Sequence, residues 1–188
     1  MDHTLNRILL DGRTCRVWQN KPVDDSLIQQ IYDLAKLGPT AGNCCPLRIV
    51  FIKSHETKEK LKPALDTENI EKTMTAPLTA IFAFDSNFQN YMDILYPRAK
   101  TWYSDSKTRE SVGLVNGSLQ AAYFMLAARA LGLDCGPIAG VNKQMVDDLF
   151  LKEQGFKSIF LCNLGYGDRT NILPRSPRLT FDQTCVTI

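Results

Sequence analysis

The sequence contains few of the residues that build metal sites and acid–base machinery. It has 188 residues but only two histidines, His3 and His55, and both lie in polar segments. No Cys-x-x-Cys or His-x-x-x-His spacing occurs in it. Zinc sites need clustered ligands, and catalytic triads need a histidine base. We therefore predict no metal site and no catalytic side chain of these kinds.

Long apolar runs and a dominant charge are missing too. No apolar run approaches the roughly 20 residues of a membrane-spanning helix. The formal net charge is +2, which gives no electrostatic reason for binding nucleic acid or an anionic membrane. The apolar part of the N-terminal stretch is too short for a secretion signal. We therefore expect a cytoplasmic protein that binds neither nucleic acid nor membranes.

The composition is that of one ordinary globular domain. Hydrophobic residues make up 44% of the chain and charged residues 22%. No repeat, low-complexity tract or linker interrupts it, so we predict a single domain over residues 1–188. The six cysteines are expected to be reduced thiols, because the chain has enough residues to build its own core.

Helical and strand patterns alternate along the chain. Gly38 is expected to end the first helix in a left-handed conformation, and Gly132 to cap the long apolar helix. The alternation predicts a mixed α/β layered domain. The predicted helices cover about 27–35, 56–65 and 117–131, and the predicted strands cover 48–53, 78–84 and 158–164.

The stretch GPTAGNCCP, residues 38–46, places two adjacent cysteines in a loop of turn-forming residues. Cys44 and Cys45 could form a vicinal disulfide or bind a soft metal, but small half-buried residues are the favoured interpretation. The loop leaves backbone N–H groups uncovered, so it could approach a flat ligand closely. An ordinary helix-to-strand connection explains the loop about equally well.

Arginines occur in two segments at the two ends of the chain. Arg13 and Arg16 flank Thr14, and Arg175 and Arg178 lie in the stretch LPRSPRL. Guanidinium groups match the geometry of phosphate oxygens, and a threonine adds a hydroxyl donor. For any one of these arginines alone, a solvated surface position is the simpler explanation.

Two further segments could contact a planar ligand. Asn69 and Lys72 are three residues apart and would share one helix face, where an amide and an ammonium could bind an imide-like edge. A solvated helix face explains this pair more simply when it is taken alone. The small residues of 136–140, GPIAG, are predicted to form a loop able to lie against a flat ring.

Together these pieces resemble the FMN-dependent nitroreductase superfamily over about residues 7–179. The matching motifs are RTCRVW at 13–18, PTAGNCCP at 39–46, the N-x-x-K pair at 69 and 72, GLDCGPIAG at 132–140, and the C-terminal arginine pair. Each motif is weak alone, but five in the right order are specific. Longer runs such as SLQAAYFMLAARALGLDCGP are similar to the malonic semialdehyde reductase branch.

The resemblance implies a nitroreductase-like α/β fold, with a small mixed central sheet flanked by helices, in an intertwined homodimer. It implies two FMN molecules at the subunit interface, with NADH or NADPH as the reductant. The implied phosphate ligands are Arg13, Thr14, Arg175 and Arg178. The implied ligands of the flavin ring are Arg16, Asn69 and Lys72 at its pyrimidine edge, Ile138, Ala139 and Gly140 near N5, and Pro39, Thr40 and Asn43 from the other subunit.

The activity implied by the resemblance is ping-pong hydride transfer to a small organic acceptor, such as the aldehyde acid malonic semialdehyde. Arg98 could hold the carboxylate of such a substrate, although a surface position also explains it. Three alternatives stay open at this point. The chain could be a nitroreductase or quinone reductase of broad specificity, a flavin-binding dimer without turnover, or a thiol redox protein that uses Cys44 and Cys45.

Overall fold

The computed structural model describes residues 6–188, without the side chain of Asn171; His3 lies outside the described residues. The α-helices are α1 (Asp25–Ala35), α2 (His55–Leu61), α3 (Thr67–Met74), α4 (Met92–Leu95), α5 (Ser106–Ala130), α6 (Lys143–Phe150) and α7 (Phe181–Thr184). The strands are β1 (Leu47–Ile52), β2 (Leu78–Asp85), β3 (Asp134–Ile138) and β4 (Phe156–Gly165). Short 3-10 segments cover Ala41–Asn43, Lys62–Ala64, Phe88–Tyr91, Pro97–Tyr103, Lys152–Gln154 and Arg169–Asn171, and a π-helical turn covers Asn6–Leu10.

The four strands form one sheet in the order β1–β2–β4–β3, and each neighbouring pair is antiparallel. β2 is buried along its whole length and so lies in the middle of the molecule. A parallel bridge between Thr14 and Cys135 places the N-terminal segment beside β3. The predicted α/β fold with a small central sheet is confirmed. The sheet was predicted to be mixed; within residues 6–188 its four strands pair antiparallel, and the Thr14–Cys135 bridge is the parallel contact.

Helices cover both faces of the sheet. Successive residues of β2 point to opposite sides, so both faces carry apolar side chains that a helix layer buries. Phe82 belongs to the core beneath α1 and α5, where it packs edge-on against Phe124 with ring centroids 5.6 Å apart. Ile81 belongs to the core beneath α2 and α6, together with Leu61 and Val146. The predicted flanking of the sheet by helices is therefore confirmed.

The long helix α5 begins earlier than the apolar pattern predicts. It starts at Ser106 because the Asp105 side chain caps it, accepting a hydrogen bond of 2.8 Å from the backbone N–H of Thr108. Gly113 and Gly117 leave no room for a Cβ against Phe84 and Ile159, so the helix passes very close to the sheet. Across residues 6–188, no helix is both long and apolar enough to cross a membrane.

Two local predictions are wrong, and one is confirmed. Gly38 does not have a positive φ, and α1 ends at Ala35 with a right-handed Lys36; a Cβ at Gly38 would instead meet the ring of Tyr123 at 2.1 Å. Residues 134–138 form edge strand β3 rather than a loop, and proline is tolerated there because an edge strand has an unpaired side. Gly132 has a φ of +102° and caps α5 as predicted.

Candidate functional site

The segment that carries Thr14 and Arg16 lies across the end of the sheet. The backbone N–H of Cys15 donates to the Cys135 carbonyl at 2.9 Å, and the N–H of Asp168 donates to Val17 at 2.9 Å. A Cβ at Gly136 would lie 2.4 Å from the Cys15 carbonyl oxygen, so only glycine allows this approach. The N-terminal motif and the segment after α5 therefore meet at the edge of β3.

Two adjoining cavities open at this edge. The first, called the Lys72 cavity, has a volume of about 220 Å³, and the second, called the arginine cavity, has a volume of about 270 Å³. Thr14 and Arg16 line both of them, so the cavities are neighbours. The Lys72 cavity is also lined by Asn69, Lys72, Ile138, Ala139 and Gly140, and the arginine cavity by Arg13, Arg175 and Arg178.

Asn69, Lys72 and Gly140 form one hydrogen-bonded unit in the Lys72 cavity. The Lys72 ammonium donates to Asn69 Oδ1 at 3.1 Å, and Asn69 Nδ2 donates to the Gly140 carbonyl at 2.9 Å. A Cβ at Gly140 would lie 2.8 Å from that same Nδ2 and 2.4 Å from Asp66 Oδ2. The unit presents a cation and backbone groups, with no bulky side chain at Gly140, which suits the polar edge of a flat ring.

A second layer of contacts, missed by the sequence analysis, holds the end of α3 in place. The Lys72 carbonyl accepts hydrogen bonds from Trp18 Nε1 and Asn163 Nδ2, each at 3.1 Å. Thr79 donates to Asn163 Oδ1 at 2.7 Å, in the buried centre of the sheet. These contacts hold the backbone of Lys72 against the central strands, so the position from which its side chain extends is fixed. Nothing in the sequence around Asn163 distinguishes it from an ordinary strand residue.

The arginine cavity concentrates positive charge. Five arginines line it, and none of the described residues around it carries a carboxylate. Desolvation and then the charges of Arg13, Arg178 and Arg129 lower the pKa of the Arg175 guanidinium from its usual value. Because unbalanced like charges repel one another, this arrangement suits an anion with several oxygens, such as a phosphate monoester.

Arg129 is the arginine in this set that the sequence analysis missed. It lies in the last turn of α5 and lines the arginine cavity. Its guanidinium donates to the carbonyl of Ile8 at 3.2 Å and to that of Arg13 at 3.4 Å. A lone arginine within the apolar stretch LAARAL was the signal that could have identified it.

The loop residues Pro39, Thr40 and Asn43 line neither of these cavities. Asn43 lines a separate groove of about 790 Å³ between α1, β1 and α4. Ala41 holds the loop, since its carbonyl accepts from the Tyr103 hydroxyl at 2.9 Å and its N–H donates to Asn116 at 2.8 Å. Within one chain, then, the loop is apart from the other predicted site residues.

The loop itself has an unusual backbone. Asn43 and Cys45 have φ values of 52° and 40°, a region that non-glycine residues seldom occupy, and Gly42 has a φ of 55°. Such strain persists only where surrounding contacts hold it, and it is concentrated at functional sites. The strain of this loop lies mainly at Cys45, because asparagine and glycine tolerate the left-handed region.

Among the described residues, the cysteines form neither a disulfide nor a metal-binding cluster. All six thiols are free, and residues 6–188 contain no group of histidine, cysteine and acidic side chains that could hold a metal ion. Cys44 is fully buried beside Phe88 and Tyr103, and burial raises the pKa of its thiol to about 11. A thiol with this pKa is protonated at neutral pH and is a poor nucleophile.

Comparisons with known proteins show the family of the chain. The model of the family described as "Nitroreductase family" matches residues 11–166. A Ralstonia nicotianae protein named "Putative NADH dehydrogenase/NAD(P)H nitroreductase" is 45% identical over 184 residues, which cover 96% of this chain and 94% of the relative.

Solved structures share the fold at low sequence identity. A crystal structure of a "putative nitroreductase in complex with FMN" from Exiguobacterium sibiricum has a TM-score of 0.89 at 20% identity, covering 100% of this chain and 98% of that one. Nitroreductase A from Vibrio parahaemolyticus has a TM-score of 0.78 at 23% identity, covering 97% of this chain and 73% of that one. These likenesses show the fold.

Proposed function

The chain belongs to the nitroreductase family, and on this premise we propose that it is an FMN-dependent NAD(P)H oxidoreductase acting on a small organic acceptor. The observation that carries the proposal is the pair of adjoining cavities, one rich in arginine and the other lined by Asn69, Lys72 and Gly140. Their chemistry matches the two ends of FMN, a phosphate dianion and a flat ring with a polar edge.

The arginine cavity is the phosphate end of this site. Arg13, Arg175 and Arg178 bind the phosphate oxygens, and the Thr14 hydroxyl donates a further hydrogen bond. Arg16 lines both cavities and is proposed, with Asn69 and Lys72, to bind the pyrimidine edge of the ring. With no described carboxylate in the cavity, the guanidinium groups have no competing anion.

The Lys72 cavity holds the ring. When bound, FMN supplies hydride acceptance and donation at its N5 atom. Asn69 and Lys72 bind the pyrimidine edge, where the Lys72 ammonium stabilises negative charge. Ile138, Ala139 and Gly140 provide backbone beside the reacting part of the ring. The side chains of this chain bind and orient, and none is proposed as a nucleophile.

The proposed assembly is an intertwined homodimer in which Pro39, Thr40 and Asn43 complete the site of the other subunit. Edge strand β1 leaves one side of the sheet unpaired. Exposed apolar residues on α5 and in the C-terminal segment support a large apolar interface. They are Leu114, Val115, Leu119 and Leu126 on α5, and Leu179, Phe181, Val186 and Ile188 at the C-terminus.

Two acceptor classes are separated by experiment. The resemblance to the malonic semialdehyde reductase branch points to a small aldehyde acid. The name of the Ralstonia nicotianae relative points to nitro compounds. Steady-state rates on malonic semialdehyde and on a nitrofuran, measured with one enzyme preparation and NADH or NADPH, identify the better acceptor by kcat/KM.

The test of the proposed function is the visible absorption spectrum of the purified protein. We expect flavin bands that bleach on anaerobic addition of NADH or NADPH. A colourless protein that also fails to bind added FMN contradicts the proposal. Bound flavin that neither reductant bleaches supports the alternative of a flavin-binding protein without turnover. Loss of turnover in a Cys44→Ser, Cys45→Ser double variant that still binds FMN supports the thiol alternative; we expect turnover to be retained.

A further inference from the structure

Arg129 reaches the arginine cavity from a different part of the fold than the other arginines there. Arg13 and Arg16 belong to the irregular N-terminal segment, and Arg175 and Arg178 to the irregular C-terminal segment. Arg129 instead stands in the last turn of the longest helix, which is packed on the sheet. Among the described residues, Arg129 is therefore the one arginine lining the cavity whose backbone belongs to a helix packed on the sheet.

The contacts of Arg129 fix the segment that carries Arg13. Its two terminal nitrogens donate to the carbonyl oxygens of Ile8 and Arg13, at 3.2 and 3.4 Å. Gly12 makes room for this approach, since a Cβ there would lie 3.0 Å from Arg129 Nη1. The Arg129 guanidinium thus holds the turn from which the Arg13 side chain extends.

One of the five N–H donors of the Arg129 guanidinium, the one at Nε, is buried without a hydrogen-bond partner among the described residues. A buried donor without an acceptor is costly and rare, so the protein alone does not fully satisfy this guanidinium, and an anion in the cavity that Arg129 lines would offset its charge. The other described residues around the cavity provide no carboxylate to take that place.

The end of α5 adds a second reason for a cation here. The C-terminal end of a helix carries partial negative charge from its unpaired carbonyl groups. Arg129 lies at this end of α5 and lines the arginine cavity. A guanidinium in the last turn offsets that field.

We propose that Arg129 is a further residue of the phosphate site, supplying a fourth guanidinium beside Arg13, Arg175 and Arg178 and fixing the position of Arg13. The inference rests on the proposed function, because the anion is taken to be the phosphate of FMN. It assigns to α5 a role in cofactor binding besides its role in the core.

The test compares FMN with riboflavin, which has the same ring but no phosphate. Flavin is removed from the full-length protein, and both compounds are titrated by fluorescence against wild type, Arg129→Gln and Arg129→Lys. We expect Arg129→Gln to weaken FMN binding by roughly tenfold to a hundredfold and riboflavin binding by no more than about twofold. Arg129→Lys keeps the charge and is expected to recover part of the loss.

Arg109 offers a matched control on the same helix. It also donates to carbonyl oxygens, those of Tyr103 at 3.0 Å and Ser104 at 2.6 Å, but lines neither cavity. Arg109→Gln should change the affinities for both flavins by similar factors. If Arg129→Gln does not fold, Arg129→Lys carries the test, with a selective loss of FMN affinity as the expected result.

The other outcomes are distinguishable. Equal losses for FMN and riboflavin in the Arg129 variants show a purely structural residue and overturn the inference. Unchanged FMN affinity overturns it as well, while the proposed function stands. A wild-type protein that binds neither flavin removes the proposed function itself.

Discussion

Arg13 and Arg175, from opposite ends of the chain, donate hydrogen bonds to the same two carbonyl oxygens. Arg13 Nη1 lies 2.8 Å from the Leu10 oxygen and 2.9 Å from the Gly12 oxygen, and Arg175 Nη2 lies 2.9 and 3.0 Å from them. The shared acceptors hold two like charges side by side. Such a pair gains most from an anion placed between the two groups, which a phosphate provides.

This relationship predicts coupling between the two arginines in FMN binding. We expect Arg13→Gln and Arg175→Gln each to weaken binding by roughly tenfold to a hundredfold. The double variant should lose less than the product of the single losses, because both groups act on one phosphate and share its supporting carbonyls. Fluorescence titration of FMN against wild type, the two single variants and the double variant gives the double-mutant cycle.

A control for this cycle is Lys60→Gln, which removes a positive charge from an exposed pair with Glu56. That variant should bind FMN like wild type. If the two single losses simply multiply, the arginines act independently, and the two carbonyl groups that they share have no role in FMN binding. If neither single variant loses affinity, the arginine cavity does not bind the phosphate.

Lys72 is predicted to act on the reactivity of the cofactor more than on its retention. Lys72→Met removes the cation from the ring edge, so reduction by NADH or NADPH should slow by roughly tenfold to a hundredfold. The reduction potential of bound FMN should fall, because the reduced ring carries more negative charge. Anaerobic stopped-flow absorption and dye equilibration measure the rate and the potential.

Lys72→Arg is the matched variant, since it keeps the charge near Asn69. It should recover most of the rate and potential. Unchanged values in Lys72→Met would place this ammonium away from the reacting ring and remove it from the proposed site.

Features set by residues close together in the sequence could be predicted from it, whereas features set by contacts between distant residues could not. The helical spacing and apolar runs are local signals, and they predicted α1, β1, β2 and β4 to within a few residues. β3 was missed because Gly136 and Pro137 look like a loop until an edge position is known. Gly38 was misassigned because a glycine is needed there to make room for the ring of Tyr123, which is distant in the sequence.

The candidate site shows the same division. Motif order was enough to select Arg13, Lys72 and Gly140, which line the two adjoining cavities. Asn163 owes its position to tertiary packing and has no sequence signal, whereas Arg129 is marked only as a lone charge within an apolar stretch. The positive φ of Cys45 is likewise set by contacts of the loop and not by its residue type.

The apolar face of α5 predicts that a single charge disrupts the proposed dimer. Val115 is 63% exposed and Leu119 is 40% exposed in one chain. Val115→Glu or Leu119→Glu would bury a carboxylate in the proposed interface, which is strongly unfavourable. We expect monomers by size-exclusion chromatography with light scattering, and loss of bound FMN because the loop at Pro39–Asn43 is withdrawn.

Leu149 provides the control for this experiment. It is 49% exposed on α6, outside the proposed interface, and Leu149→Glu should remain a dimer with FMN bound. A wild-type monomer that still binds FMN would contradict both the dimer and the shared site.

Cys44 predicts a loss of stability at alkaline pH. Its thiol pKa lies near 11 in the folded protein, against 9.0 for an ordinary cysteine, because burial disfavours the thiolate. The folded state therefore holds this proton more tightly than the unfolded chain. The resulting stability is complete below pH 9 and is lost as pH rises through about 11, amounting to at most about 2 to 3 kcal/mol.

Urea unfolding of wild type and Cys44→Ser at pH 8, 9, 10 and 11 isolates this contribution. It is the change with pH in the difference between the unfolding free energies of the two proteins. The exposed Cys185 gives the control, since Cys185→Ser should follow wild type at every pH. A difference between wild type and Cys44→Ser that stays constant across this range would mean that Cys44 does not titrate with a raised pKa, and the argument against a reactive thiol in the loop would fail with it.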